Sequence, residues 1–219
     1  MKSLSRSIAK KLLQIKAIKL NRQNPFIWAS GLRSPIYCDN RIALSYPEVR
    51  NEIKKACVKT AEEFGEFDVV AGVATAGIPM GILLADALNL PFIYIRSENK
   101  SHGRQNKIEG ELTPGKKVLI IEDLISTGGS CLRAADEIKE HGCKVVGVLS
   151  IFSYEMEAAK NNFINAQCKS VSLTNYQTLI SEAVTEGYIT QEDYEGLANW
   201  SINPEAWSNY FLEQTSTNS

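Results

Sequence analysis

Four apolar runs, Asp68–Val73, Pro91–Arg96, Lys117–Ile121 and Lys144–Phe152, recur between stretches with helical periodicity. This alternation constrains the fold more than any other feature of the chain. Each run is continuously apolar, as expected of strands buried on both faces. Turn formers and helix signals punctuate them. Thr75-Ala76-Gly77 reads as a turn, and Pro79 opens a helix to about Leu88. A second turn at Ser126 to Gly129 leads into a helix that runs to His141, with Gly142 as its stop. Strand, turn and helix in regular succession predict an α/β chain with a central, mostly parallel sheet flanked by helices.

The flanking segments read differently. Leu4, Ile8, Leu12 and Ile15 recur at helical spacing, so the chain opens with an amphipathic helix. Asn21 to Asp39 is rich in turn formers, with Phe26, Trp28, Ile36 and Tyr37 interleaved. Ser45 starts a second helix, with Ser45 and Glu48 in a capping-box pattern and Pro47 in the first turn. After Ser172 the chain reads as helices, Asn175 to Glu186 and Gln191 to Trp200, followed by a polar end. Ser97 to Gly115 breaks the rhythm. It is nineteen residues long, and only Ile108 and Leu112 in it are strongly apolar. A long polar segment of this kind inside a compact domain points to a functional lid or to disorder.

Composition excludes several classes. The chain has 219 residues, 44% hydrophobic and 22% charged, with a net charge of −1, and fits one domain. No basic excess marks a nucleic-acid binder, so an anionic ligand must be met by a local site. Cys38, Cys57, Cys131, Cys143 and Cys168 are odd in number and lack C-x-x-C spacing, which suggests neither a disulfide framework nor a zinc site. They read as mostly buried thiols of a reducing cytoplasm. Met1 to Leu20 alternates Lys/Arg with Leu/Ile and is not a signal peptide. No run approaches the about 18 apolar residues of a membrane helix.

The chemistry sits in Val118 to Ser130, VLIIEDLISTGGS. A buried strand delivers the adjacent carboxylates Glu122 and Asp123 to its carboxyl end, where ligands of open α/β sheets bind. A turn of small residues and a helix N-terminus follow, an anion site suited to phosphate. Gly128 and Gly129 let the backbone approach that phosphate. The carboxylates would repel it but suit hydroxyls or a divalent metal. A phosphorylated sugar satisfies both halves: its 5-phosphate in the turn, its 2- and 3-hydroxyls on the acids.

These thirteen residues resemble the phosphoribosyl pyrophosphate (PRPP) motif of type I phosphoribosyltransferases. Three more segments resemble the orotate phosphoribosyltransferase family in particular, so that about half the chain is covered. Phe26 to Tyr37, FIWASGLRSPIY, is similar to its base-binding segment. Val73 to Pro79, VATAGIP, is similar to its pyrophosphate turn, and Arg96 to Gly103, RSENKSHG, to its catalytic loop. The tail Asn175 to Trp207 also looks like that of many bacterial members.

The resemblance implies a small hood at about residues 1–44, a core at 45–174 and C-terminal helices at 175–219. It implies PRPP contacts from Thr75, Ala76, Gly77, Arg96, Lys100 and His102, together with Glu122, Asp123, Leu124, Ile125, Ser126, Thr127, Gly128, Gly129 and Ser130. Lys100, His102 and Asp123 would be catalytic. Orotate would meet Ser126, Phe26, Tyr37 and Tyr154. Mg²⁺ would be bound mainly through PRPP, without a direct protein metal site. A homodimer with a long catalytic loop acting in trans is also implied. The chain departs from the family at three places. Ala76 and Ser97 stand where many members have lysine, and Tyr154 stands where some have arginine. Purine phosphoribosyltransferases share the PRPP motif but lack, as a rule, the Ser30-Gly31 to Ser34-Pro35 segment. PRPP-sensing transcription regulators add a DNA-binding domain, whereas a single helix precedes the base segment here.

Overall fold

The computed structural model describes residues 2–28, 30–96 and 107–217, with 214–217 described by their backbone alone. The chain opens with α1 (Lys2–Gln14), which buries Ile8, Ala9, Leu12 and Leu13 on one face. Four short strands follow: β1 (Ile18–Leu20), β2 (Phe26–Ile27), β3 (Arg33–Ser34) and β4 (Ile36–Cys38). They form two small antiparallel pairs, β1 with β4 and β2 with β3. A 3₁₀ turn, Asn40–Ser45, leads into α2 (Pro47–Ala61).

The expected capping box at Ser45 does not form. Ser45 belongs to the 3₁₀ turn, whose own cap is the Asp39 side chain accepting from Arg41 N–H. The N-cap of α2 is Tyr46, with Pro47 as the first helical residue. Proline presets the first turn without needing the missing donor, so the helix starts without a side-chain cap.

The repeating part comprises β5 (Val69–Val73), α3 (Gly77–Leu88), β6 (Phe92–Ile95), β7 (Ile108–Glu109), β8 (Lys117–Ile125), α4 (Gly129–Glu140), β9 (Lys144–Ser153), α5 (Glu157–Asn165) and β10 (Ser170–Asn175). The helices α6 (Tyr176–Thr185), α7 (Gln191–Leu197) and α8 (Pro204–Thr217) complete the chain. Six strands form one sheet in the order β10-β9-β8-β5-β6-β7. All its pairings are parallel except β6 with β7. The α/β expectation therefore holds, with an antiparallel edge added.

Alternation along β8 divides the core. Leu119 and Ile121 belong to the cluster built with α1, α2, α3 and α6, whereas Val118 and Ile120 belong to the cluster built with α4 and Phe163 of α5. Both faces are covered, which is why the strand reads as an unbroken apolar run. No helix of the described residues is long and apolar enough to cross a membrane.

Four features depart from the expected elements. β8 continues past Ile121 to Ile125, because Glu122, Leu124 and Ile125 pair with Ser150, Phe152 and Ser153 of β9. β10 is a strand that the apolar pattern does not announce: its sequence, SVSLTN, alternates, as an edge strand with one covered face should. The segment after Lys107 is partly ordered by burial of Ile108 and Leu112, each 6% exposed. The polar C-terminal end is helical, as α8.

Candidate active site

The carboxyl edge of the sheet gathers three chain turns. The first follows β8. Glu122 is 6% exposed, and its Oε1 accepts from the Asp123 N–H at 3.0 Å. Burial pushes the Glu122 carboxyl well above the ordinary carboxylate range, and the charge of Asp123 adds to the shift. Burial raises Asp123 as well, while a hydrogen bond from Glu122 and the charge of Arg41 pull it back. Burial and the neighbouring acid both favour the protonated form of Glu122, the more buried of the two.

The turn itself is fixed from several sides. The Tyr154 N–H donates to Ile125 O at 3.0 Å, and Asn162 Nδ2 on α5 donates to Thr127 O at 3.0 Å. The Ser126 hydroxyl faces Met156 Sδ at 3.6 Å. Gly128 adopts φ +80°, and a Cβ there would stand 2.7 Å from the Phe163 ring. Only glycine meets both conditions. α4 begins at Gly129, so its first-turn N–H groups, which have no intrahelical acceptors, open onto this turn. Phosphate is the ligand such a cradle fits.

The second turn follows β5. The Ala74–Thr75 peptide is cis. Gly77 opens α3 in such close contact with Ile121 O that a side chain could not be accommodated. Thr75-Ala76-Gly77 therefore packs directly on β8, beside the acidic pair. The third turn follows β6. Arg96 pairs with Glu109 of β7 (Nη1–Oε1 3.3 Å), and its N–H donates to Lys107 O at 2.9 Å. Lys107 in turn pairs with Glu137 of α4. Lys100 and His102 lie outside the described residues.

The N-terminal segment closes the site from above. Asn40, 2% exposed, donates from Nδ2 to the backbone carbonyl of Asp123 at 2.8 Å. Cys38 Sγ donates to Asn40 Oδ1 at 3.4 Å. Burial, then the charge of Asp123, holds the Cys38 thiol well above its usual pKa, so it stays protonated. Phe26 and Tyr37 stand with ring centroids 5.7 Å apart, and Tyr37 remains exposed. Tyr154 is buried, with ring centroids 5.4 Å from Trp28 and 5.5 Å from Phe152. Arg41 pairs with Asp39 through two contacts, at 2.7 and 3.0 Å.

Sequence reasoning located the acidic pair and its turn but missed Asn40 and Cys38. Asp39-Asn40 looks like the tail of a turn-rich stretch, and nothing local shows that the amide reaches a strand 83 positions away. Trp28, Tyr154 and Trp200 lie in one aromatic cluster. His141 is structural: its Nε2 bonds Leu112 O at 2.8 Å.

Two adjacent carboxylates are hard oxygen donors of the kind Mg²⁺ takes. Among the described residues no group of three or more His, Cys, Asp or Glu side chains is arranged to hold a metal. An ion at this strand end would meet Glu122 and Asp123.

A mostly parallel sheet whose strand β8 ends in the adjacent acids Glu122 and Asp123 and a glycine turn defines a phosphoribosyltransferase. Residues 44–185 match the family described as phosphoribosyl transferase domain. An orotate phosphoribosyltransferase from Bacteroides thetaiotaomicron is 52% identical over 208 residues, covering 94% of this chain and 98% of that one. Among solved structures, orotate phosphoribosyltransferase from Aeropyrum pernix superimposes with a TM-score of 0.72 at 26% identity, covering 84% of this chain and 99% of that chain. Leishmania donovani UMP synthase superimposes with a TM-score of 0.74 at 26% identity over 97% of this chain, which spans 43% of that longer one. The chain belongs to the orotate phosphoribosyltransferase family.

Proposed function

We propose that the chain transfers the 5-phosphoribosyl group of PRPP to orotate, giving orotidine 5′-monophosphate and pyrophosphate, a Mg²⁺-dependent step of pyrimidine (UMP) biosynthesis in the cytoplasm. The observation that carries this reading is the junction at Asp123. There the acidic strand end, the phosphate-type turn and the base-binding segment are joined by one hydrogen bond from Asn40.

The residues divide the work. The turn from Ser126 to Ser130, with the backbone of Leu124 and Ile125 leading in, receives the 5-phosphate on its N–H groups. Glu122 and Asp123 receive the ribose hydroxyls. Thr75, Ala76 and Gly77 present backbone groups to the pyrophosphate, and Arg96, Lys100 and His102 supply positive charge to it. When bound, Mg²⁺ neutralises charge on the departing pyrophosphate. Phe26, Tyr37, Tyr154 and the Ser126 hydroxyl border the orotate ring.

Orotate nitrogen displaces pyrophosphate at the anomeric carbon through an oxocarbenium-like transition state. The protein's part is positioning and electrostatic stabilisation, not covalent chemistry. With Mg²⁺ carried by PRPP beside them, Glu122 and Asp123 would release their shared proton to solvent and act as an anion toward the ribose hydroxyls. The segment around Lys100 works on the partner's site in a homodimer, excluding water from the reacting atoms. Residues 1–44 form the hood, 45–174 the catalytic core and 175–219 a helical tail. Loss of orotate absorbance on adding PRPP and Mg²⁺ tests this reading, with a chelator expected to stop the reaction. Undiminished turnover in the chelator would remove the metal from it.

A further inference from the structure

The segments on either side of the matched domain meet each other, and they do so behind the base-binding wall. Trp28 precedes the domain and Trp200 follows it. Their rings pack edge to face, 5.7 Å apart at 85°. Tyr154, at the end of β9, lies 5.4 Å from Trp28 and 5.3 Å from Trp200. The three rings form a closed triangle in which Trp200 is fully buried. Two further contacts tie the tail to the N-terminal segment and to itself. Ser208 Oγ on α8 accepts from the Arg33 N–H of β3 at 3.1 Å, and Trp207 Nε1 donates to Gly196 O at 3.3 Å.

We infer that the C-terminal tail is part of the base-recognition apparatus, with Trp200 as a positioning residue that sets affinity for orotate by fixing Trp28 and Tyr154. The inference rests on the reading above, in which Tyr154 borders the orotate ring.

The physical need for such a support is visible in the hairpin. β2 and β3 pair through two residues each, Phe26 with Ser34 and Ile27 with Arg33. A two-stranded hairpin of this size does not hold its place alone. Its position has to come from packing, and edge-to-face aromatic pairs fix ring direction as well as distance. Trp28 passes the constraint on: its Nε1 donates to Ile36 O at 3.3 Å, the residue next to Tyr37 on β4. Trp200 is thus linked to both sides of the base site, through Tyr154 directly and through Trp28 to the strand of Tyr37 and Cys38.

The role of Trp200 is one of shape. Among the described residues its indole N–H is buried without a hydrogen-bond partner. A buried unpaired donor is unfavourable, so the ring is not held by that group. Phenylalanine would delete the orphan donor and retain an aromatic face, whereas alanine would leave a hole behind both partners.

Steady-state kinetics of Trp200→Ala and Trp200→Phe, varying orotate and PRPP separately, tests the inference. Trp200→Ala should raise the orotate KM about tenfold and leave the PRPP KM within about twofold. Trp200→Phe should keep the wild-type melting profile and raise the orotate KM about threefold, a partial rescue. If Trp200→Ala fails to fold, the selective rise in Trp200→Phe decides. Equal effects on both KM values, or no effect from the phenylalanine variant, would overturn the role of Trp200. Tyr154→Ala separates the two levels. An altered orotate KM there, with Trp200 variants silent, overturns only the role of the tail. An unchanged orotate KM in Tyr154→Ala removes Tyr154 from the base site and the inference with it.

Discussion

Asn40 donates its side-chain N–H to the main-chain carbonyl of Asp123 at 2.8 Å, so the N-terminal segment is bonded to the strand that holds the acidic pair. Asn40 itself is buried, and the same amide accepts from the Cys38 thiol at 3.4 Å. Asn40→Ala removes the side-chain partner of a half-buried carbonyl. It should cost about 1–3 kcal/mol of stability and lower kcat/KM for orotate more than for PRPP. Thermal melting with kinetics on both substrates checks this; a variant with wild-type melting and wild-type kinetics would detach the hood from the site.

The acidic pair makes stability depend on pH in a definite direction. Burial, first, and then Asp123 hold the folded Glu122 carboxyl above its unfolded value. Above the ordinary glutamate pKa of about 4.3 the unfolded chain gives up a proton that the folded chain keeps. Stability is therefore fully present below that pH and declines as pH rises toward the folded value. The ligand-free melting temperature should fall from acid to neutral pH, and Glu122→Gln should flatten the slope over that range. A wild-type slope identical to that of the variant would show that the pair holds no proton.

Gly128 is asked for two things at once, a left-handed backbone and room for Phe163. Gly128→Ala should cost about 1–2 kcal/mol for the backbone alone and raise the PRPP KM by an order of magnitude or more. Adding Phe163→Ala removes the steric contact but not the backbone strain, so the double variant should recover only part of the loss. Full recovery would assign the glycine to packing, not to the turn.

The loop acting in trans is testable by mixing. Lys100→Ala and Asp123→Asn subunits, each inactive alone, are combined and allowed to exchange. In a mixed dimer one site pairs an intact Asp123 with an intact loop from its partner. With random pairing, activity should return to about a quarter of wild type. Exchange verified by gel filtration with no recovered activity would place the loop in its own subunit.

Among the strands of the large sheet, those legible in the sequence are the ones whose burial is symmetric. β5, β6, β8 and β9 are covered on both faces or nearly so, and each appears as a continuous apolar run. β7 and β10 are edge strands. Two residues in one, and Ser-Val-Ser-Leu-Thr-Asn in the other, carry too little of that signal. The same distinction governs the site. Glu122 to Ser130 is contiguous, so strand, carboxylates and turn are read in one glance. Asn40 and Trp200 matter through partners that only the fold brings near: Asp123 for one, Trp28 and Tyr154 for the other. Local pattern contains no trace of such distant pairings. The extension of β8 through the acidic pair was hidden for a related reason, since charged residues end an apolar run in sequence while the ladder to β9 continues.

The most direct test of the account is base discrimination. With PRPP and Mg²⁺ fixed, kcat/KM is measured for orotate, uracil, adenine and hypoxanthine. If the proposed wall of Phe26, Tyr37 and Tyr154, with the Ser126 hydroxyl, holds the base, the chain should use orotate and discriminate against the other bases by about a thousandfold or more. Turnover of a purine base at a rate comparable to orotate would contradict the account.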